Sequence, residues 1–104
     1  MSPVIIVATA FPIPEHRAEV IAAFEAAIAR VHDDEAGCEL YALHEGRDRL
    51  VIIEKYASQD AVAEHIKGQG LAALRVALEG KLSAPMDVQT LVAHPAGTPA
   101  KGAL

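Results

Sequence analysis

Apolar residues run in three different rhythms along the chain, and each rhythm predicts an element. Val4 to Phe11 is a continuous apolar stretch rich in β-branched residues and closed by Pro12 and Pro14, the pattern of a strand buried on both faces. Pro14-Glu15 then opens a helix, with acid placed in the first turn where the helix dipole favours it. Val20, Phe24, Ala27, Ile28 and Val31 recur at three- and four-residue steps and form one apolar stripe. Gly37, after the acidic cluster Asp33-Asp34-Glu35, supplies the exit from that helix. Cys38–Glu45 and Leu50–Tyr56 read as strands joined by a hairpin turn at Gly46-Arg47-Asp48. Ser58 caps a short helix reaching about Ile66, and Gly68 and Gly70 break it. A second helix runs from Leu71 to Leu82, with Leu71, Leu74, Leu78 and Leu82 aligned. Asp87–His94 is the last strand, and residues 95–104 form a Pro/Gly/Ala tail.

Strand, helix, strand, strand, helix pair, strand is the split βαβ order, so the expected fold is α+β and ferredoxin-like. It has a four-stranded antiparallel sheet with its helices on one face. Residues 1–94 make one domain. Alternation puts Val4, Ile6 and Ala8 on one side of the first strand and Ile5 and Val7 on the other, so both faces are apolar. The helices suffice for only one of them. An apolar sheet left bare would be unusual on a soluble monomer, and a second copy packed face to face would cover it. The expected assembly is a homodimer, and Ile5→Asp and Ile6→Asp would tell the two faces apart.

Composition narrows the function classes. The net charge of −5 and the scattered basic residues argue against a nucleic-acid partner. No stretch is long enough to span a membrane and no basic region precedes the first apolar run, so a cytoplasmic location is the default expectation. Cys38, the single cysteine, reads as a small buried hydrophobe. His16, His32, His44, His65 and His94 show no metal-binding spacing, and Ser2, Ser58 and Ser83 sit at a terminus, a cap and a loop.

A loose polar set remains: Thr9 in the first strand, Tyr41 in the second, Glu54 and Tyr56 in the third, then His65 and Arg75 on the helices. Leu50, Ile52, Glu54 and Tyr56 share one strand face. Taken alone, these residues favour a bland account. Glu54 and Tyr56 are then partly solvated at a strand end, His65 is a surface histidine and Arg75 a helix-surface charge.

Two segments carry a resemblance. Val31-His32-Asp33-Asp34-Glu35-Ala36-Gly37-Cys38-Glu39-Leu40-Tyr41 shows an acidic turn, Gly-Cys, two residues and Tyr. Leu50-Val51-Ile52-Ile53-Glu54-Lys55-Tyr56-Ala57-Ser58 shows an apolar strand ending in Glu, any residue, aromatic and a cap. With Ala61 and Glu64-His65 at the next helix, the chain resembles the antibiotic biosynthesis monooxygenase family up to His94. The resemblance implies a dimeric α/β barrel. It also implies a cofactor-independent oxygenase acting with O₂ on a quinol or polycyclic phenol, with neither metal nor flavin. His65 would then be the general base and Tyr56 a second catalytic group. Tyr41, Glu54, Arg75, Thr9 and Phe24 would bind substrate. Haem-degrading relatives use an Asn, Trp, His set, where this chain has Ala8-Thr9, Tyr56 and Leu74-Arg75, so haem is not expected. The alternative is a non-catalytic dimeric module that binds a small hydrophobic ligand or acts in stress response.

Overall fold

The computed structural model describes residues 3–104; Ser2 lies outside that range. The order is β1 (Val4–Ala10), α1 (Arg17–Asp34), β2 (Cys38–Glu45), β3 (Leu50–Tyr56), α2 (Gln59–Lys67), α3 (Gln69–Leu78) and β4 (Asp87–Val92). The sheet is antiparallel in the order β2-β3-β1-β4. This is the ferredoxin-like α+β architecture that the order of elements predicts.

Register fixes which residues meet. Val4, Ile6, Ala8 and Ala10 stand opposite Tyr56, Glu54, Ile52 and Leu50, and this face is buried beneath the helices. Val20, Phe24, Ala27 and Val31 of α1 pack on it together with Leu74 and Leu78 of α3. Burying the larger of these side chains, Val, Leu and Phe, contributes about 1.5–3 kcal/mol each. The other face carries Ile5, Val7, Thr9, Val51 and Ile53. All but Ile5 are half-buried there. The Lys55 ammonium, on that same face, donates to the main-chain oxygen of Leu104 at 2.7 Å. The tail is accordingly not a loose extension. Residues 96–102 close on themselves, with the Gly102 N–H donating to the Thr98 carbonyl at 2.8 Å.

Several local expectations need correction. Gly70 lies inside α3 and breaks no helix, and β4 ends at Val92 and not at His94. Pro14–His16 forms a separate 3₁₀ turn, and the α-helix begins only at Arg17. The helix expected to reach Leu82 ends at Leu78. Gly80 turns left-handed at φ +74°, and the Lys81 N–H returns to the Leu78 carbonyl at 3.0 Å. Leu82 instead bridges to Pro12 outside the helix. Gly37 is also not a left-handed helix exit, because α1 stops at Glu35 in an extended conformation. Its lack of a side chain serves packing, since a Cβ there would lie 2.5 Å from the Ala61 Cβ of α2.

Candidate functional site

The site grows from one rung of the sheet. Tyr41 of β2 stands opposite Glu54 of β3, Glu54 opposite Ile6 of β1, and Ile6 opposite Thr90 of β4. The rung exists because β2 carries a bulge between Cys38 and Leu40, where Cys38 faces Tyr56 but Leu40 already faces Lys55. The extra residue reverses the alternation and turns Tyr41 toward the helices. Above this rung and its neighbour Ile52–Ala8–Val88 lies a cavity of about 310 Å³, roofed by Phe24, Val62, His65, Leu71, Leu74 and Leu78. Its lining is apolar except at the Tyr41–Glu54–His65 corner, at Thr90 and at Arg75.

His65 reaches this corner because Ser58 starts α2 on the right turn. The Ser58 Oγ accepts from the Ala61 N–H at 3.2 Å. Val62 and His65, three residues apart, then share the buried face. His65 Nδ1 lies 2.7 Å from Glu35 Oε1, and His65 Nε2 lies 3.9 Å from Glu54 Oε1. Tyr56 donates its hydroxyl to the same Glu54 oxygen at 2.6 Å. The Tyr41 and Tyr56 rings pack at 5.4 and 5.1 Å from the imidazole, which closes the corner around it.

Burial dominates the electrostatics. It pushes the Glu54 carboxyl above the usual carboxylate range, against the downward pull of the Tyr56 hydrogen bond and of His65. It pushes both tyrosines up as well, so their hydroxyls stay protonated near neutrality. Cys38, also desolvated, is pushed up to about 11, and a thiol held that high is a poor nucleophile.

The bland account is overturned for Glu54, Tyr56 and His65, while Arg75 is the exposed helix charge that it expects. Glu54 and Tyr56 are not partly solvated, and His65 is not on the surface; they are 4%, 0% and 5% exposed. The residues named from sequence divide by position. His65, Tyr41, Glu54 and Phe24 line the cavity, and Arg75 lines it from the exposed side of α3. Tyr56 does not line it and stands behind two residues that do, bonded to Glu54 and packed on His65. Thr9 is away from it, on the opposite sheet face, where alternation puts it beside Val7. Glu35 was missed, because it reads as one more acid in an exposed run. Its only signal is its place in the acidic turn before Gly37-Cys38.

A ferredoxin-like sheet with an apolar cavity beneath its helices, polar at one buried corner, defines the class. The sequence profile described as antibiotic biosynthesis monooxygenase matches residues 3–75, and the chain belongs to that family. Similar solved structures include a Mycobacterium tuberculosis protein, 30% identical with a TM-score of 0.83, over 94% of this chain and 99% of that one. A Caulobacter crescentus protein named for the same family is 26% identical with a TM-score of 0.82, over 86% and 88%. A Pseudomonas aeruginosa protein shares the fold at 23% identity and a TM-score of 0.80, over 88% and 94%. No functionally curated protein matches the chain.

Proposed function

We propose that this protein is a cofactor-independent monooxygenase that oxidises a quinol or polycyclic phenol with O₂, working as a homodimer. The observation that carries the reading is the buried polar corner of Tyr41, Glu54 and His65 in a cavity whose lining is otherwise apolar except at the exposed Thr90 and Arg75. An aromatic body fits the apolar lining, and its hydroxyl finds buried polar partners only at that corner. Family membership and the monooxygenase naming of a relative support the same reaction type.

The chemistry follows from the substrate. An ionised hydroquinone or phenol is electron-rich enough to pass one electron to O₂. Combination of the resulting radicals forms a carbon–oxygen bond, and loss of water leaves the oxidised product. One oxygen atom then ends in the product and the other in water, with all electrons drawn from the substrate. The protein has to remove the first proton, hold the anion and keep water out. His65 is the base, since the imidazole is the cavity group whose ordinary pKa lies nearest neutrality. Tyr41 orients the substrate oxygen. Glu54, held by Tyr56, shapes the corner, and Arg75 meets polar groups at the cavity mouth.

O₂ uptake by metal-free, flavin-free protein against a panel of hydroquinones and anthrones tests the reading. His65→Gln is expected to lower turnover by about a hundred- to ten-thousand-fold, the usual worth of a general base. Tyr41→Phe is expected to cost less, because it removes an orienting hydroxyl and not the base. Full activity in His65→Gln on a substrate that the wild type oxidises would remove His65 from the mechanism.

A further inference from the structure

The two nitrogens of His65 face different carboxyl groups, and the two carboxyl groups are not alike. On one side Glu35 Oε1 stands 2.7 Å from Nδ1, which is hydrogen-bond distance. On the other side Glu54 Oε1 stands 3.9 Å from Nε2, too far for a hydrogen bond, and already accepts one from Tyr56. The carboxyl groups also differ in their surroundings. Glu54 is sealed in at the cavity corner, where desolvation favours its protonated form. Glu35 lines a separate groove of about 500 Å³ on the outer side of α2, with Asp34, Glu64 and Gln69. Its second oxygen packs against Gly68, where an added Cβ would come within 3.2 Å of Glu35 Oε2. Glu35 thus opens to water through that groove, and a carboxylate offers His65 acceptors only.

An acceptor at Nδ1 requires a proton on Nδ1. In the neutral ring the other nitrogen then carries the lone pair. We propose that Glu35 is the positioning residue that holds the His65 imidazole as the Nδ1–H tautomer, leaving Nε2, on the Glu54 side of the ring, as its basic atom. Glu35 touches neither the cavity nor anything bound in it and acts through His65 alone. The same carboxylate steadies the imidazolium that forms when Nε2 takes a proton: the substrate O–H bond breaks, the Nε2–H bond forms, and the positive charge lies 2.7 Å from Glu35. The assignment of the tautomer stands on geometry; its use in catalysis rests on the monooxygenase reading above.

Imidazole nitrogen NMR separates the two. In ¹⁵N-labelled wild-type protein, long-range proton–nitrogen correlations distinguish the tautomers, and comparison with His65→Gln assigns the His65 ring among the five histidines. The expected result is a protonated Nδ1 and a bare Nε2 in the neutral ring. Glu35→Gln, of the same shape but uncharged and able to donate as well as accept, should move the ring toward the Nε2–H form. A wild-type ring with its proton on Nε2 overturns the proposal, and so does a ring unchanged by Glu35→Gln. The wild-type spectrum decides the tautomer even if Glu35→Gln does not fold. On a substrate that the wild type oxidises, Glu35→Gln should lower kcat by about ten-fold or more, as part of the base's contribution, with KM nearly unchanged. An unchanged kcat with an altered tautomer would overturn the positioning role. If no hydroquinone is oxidised by the wild type, the reaction is wrong while the spectrum still tests the tautomer.

Discussion

At the scale of single residues, Glu54 shows how the site and the stability of the fold are linked. Its carboxyl holds its proton more tightly in the folded chain than in the unfolded one, because burial disfavours the anion. Stability from such a group is fully present below the unfolded value, about 4.3, and is lost as the pH rises through the higher folded value. Glu54→Gln removes that titration while keeping an acceptor for Tyr56. The variant is expected to melt near the wild type below pH about 4 and to gain on it progressively toward neutrality. Thermal unfolding of both proteins across this range measures the difference, with His65, Tyr56 and Tyr41 facing position 54 in each. A difference that does not change with pH would mean that Glu54 carries no burial penalty. Little of this is readable from the chain. Alternation puts Glu54 and Tyr56 on one strand face, but only the helices above show that the face is closed. The Glu35–His65 contact spans thirty residues, and no periodicity encodes it.

At the scale of elements, periodicity identified the strands and α1 because each buries a face matched to its own period. It overran at α3. Leu82 continues the leucine spacing, yet Gly80 has already turned the chain, and the apolar side chain meets Pro12 from a bridge. The β2 bulge is invisible for the same reason, since one inserted residue leaves composition and hydropathy unchanged while reversing the faces. Gly37 gives a test at this scale. It joins three elements: its carbonyl accepts from the Ala57 N–H at 2.9 Å, and its Cα faces Ala61 at the start of α2. Gly37→Ala would press a methyl into the Ala61 methyl, and overpacking of this kind costs about 1–3 kcal/mol. Ala61→Gly alone costs about 1 kcal/mol through helix propensity. If the contact is as tight as the distance says, the double variant recovers part of the loss and ends above the sum of the single effects. Chemical denaturation of the four proteins closes the cycle. Strict additivity would show that α2 moves aside without strain.

At the scale of the whole molecule, the sheet face away from the helices is where the expected dimer would form. Val7 and Thr9 on β1 and Val51 and Ile53 on β3 make a half-buried, largely apolar patch with no helix over it among the described residues, and Leu91 of β4 extends it at 46% exposed. A second copy laid face to face would bury this patch by two-fold symmetry. The structure also sharpens the choice of probe. Ile6 belongs to the helix-covered face, so Ile6→Asp puts an unpaired charge in the core and should prevent folding. Ile5 belongs to the other face but is 7% exposed within one chain, between Lys55 and Leu91 in register. A charge at Ile5 would therefore harm the protomer as well as the interface. Val7, half-buried at the middle of the central strand β1, is the cleaner site. Wild-type protein is expected to sediment as a dimer at micromolar concentration. Val7→Asp is expected to sediment as a monomer while keeping its circular dichroism, because its carboxylate meets water once the partner leaves but is buried and unpaired when the partner stays. A wild-type protein that stays folded and monomeric at that concentration would defeat the dimer. A Val7→Asp protein that remains dimeric would move the interface to another surface, with the exposed side chains of β4, Val88 and Val92, the next to be charged.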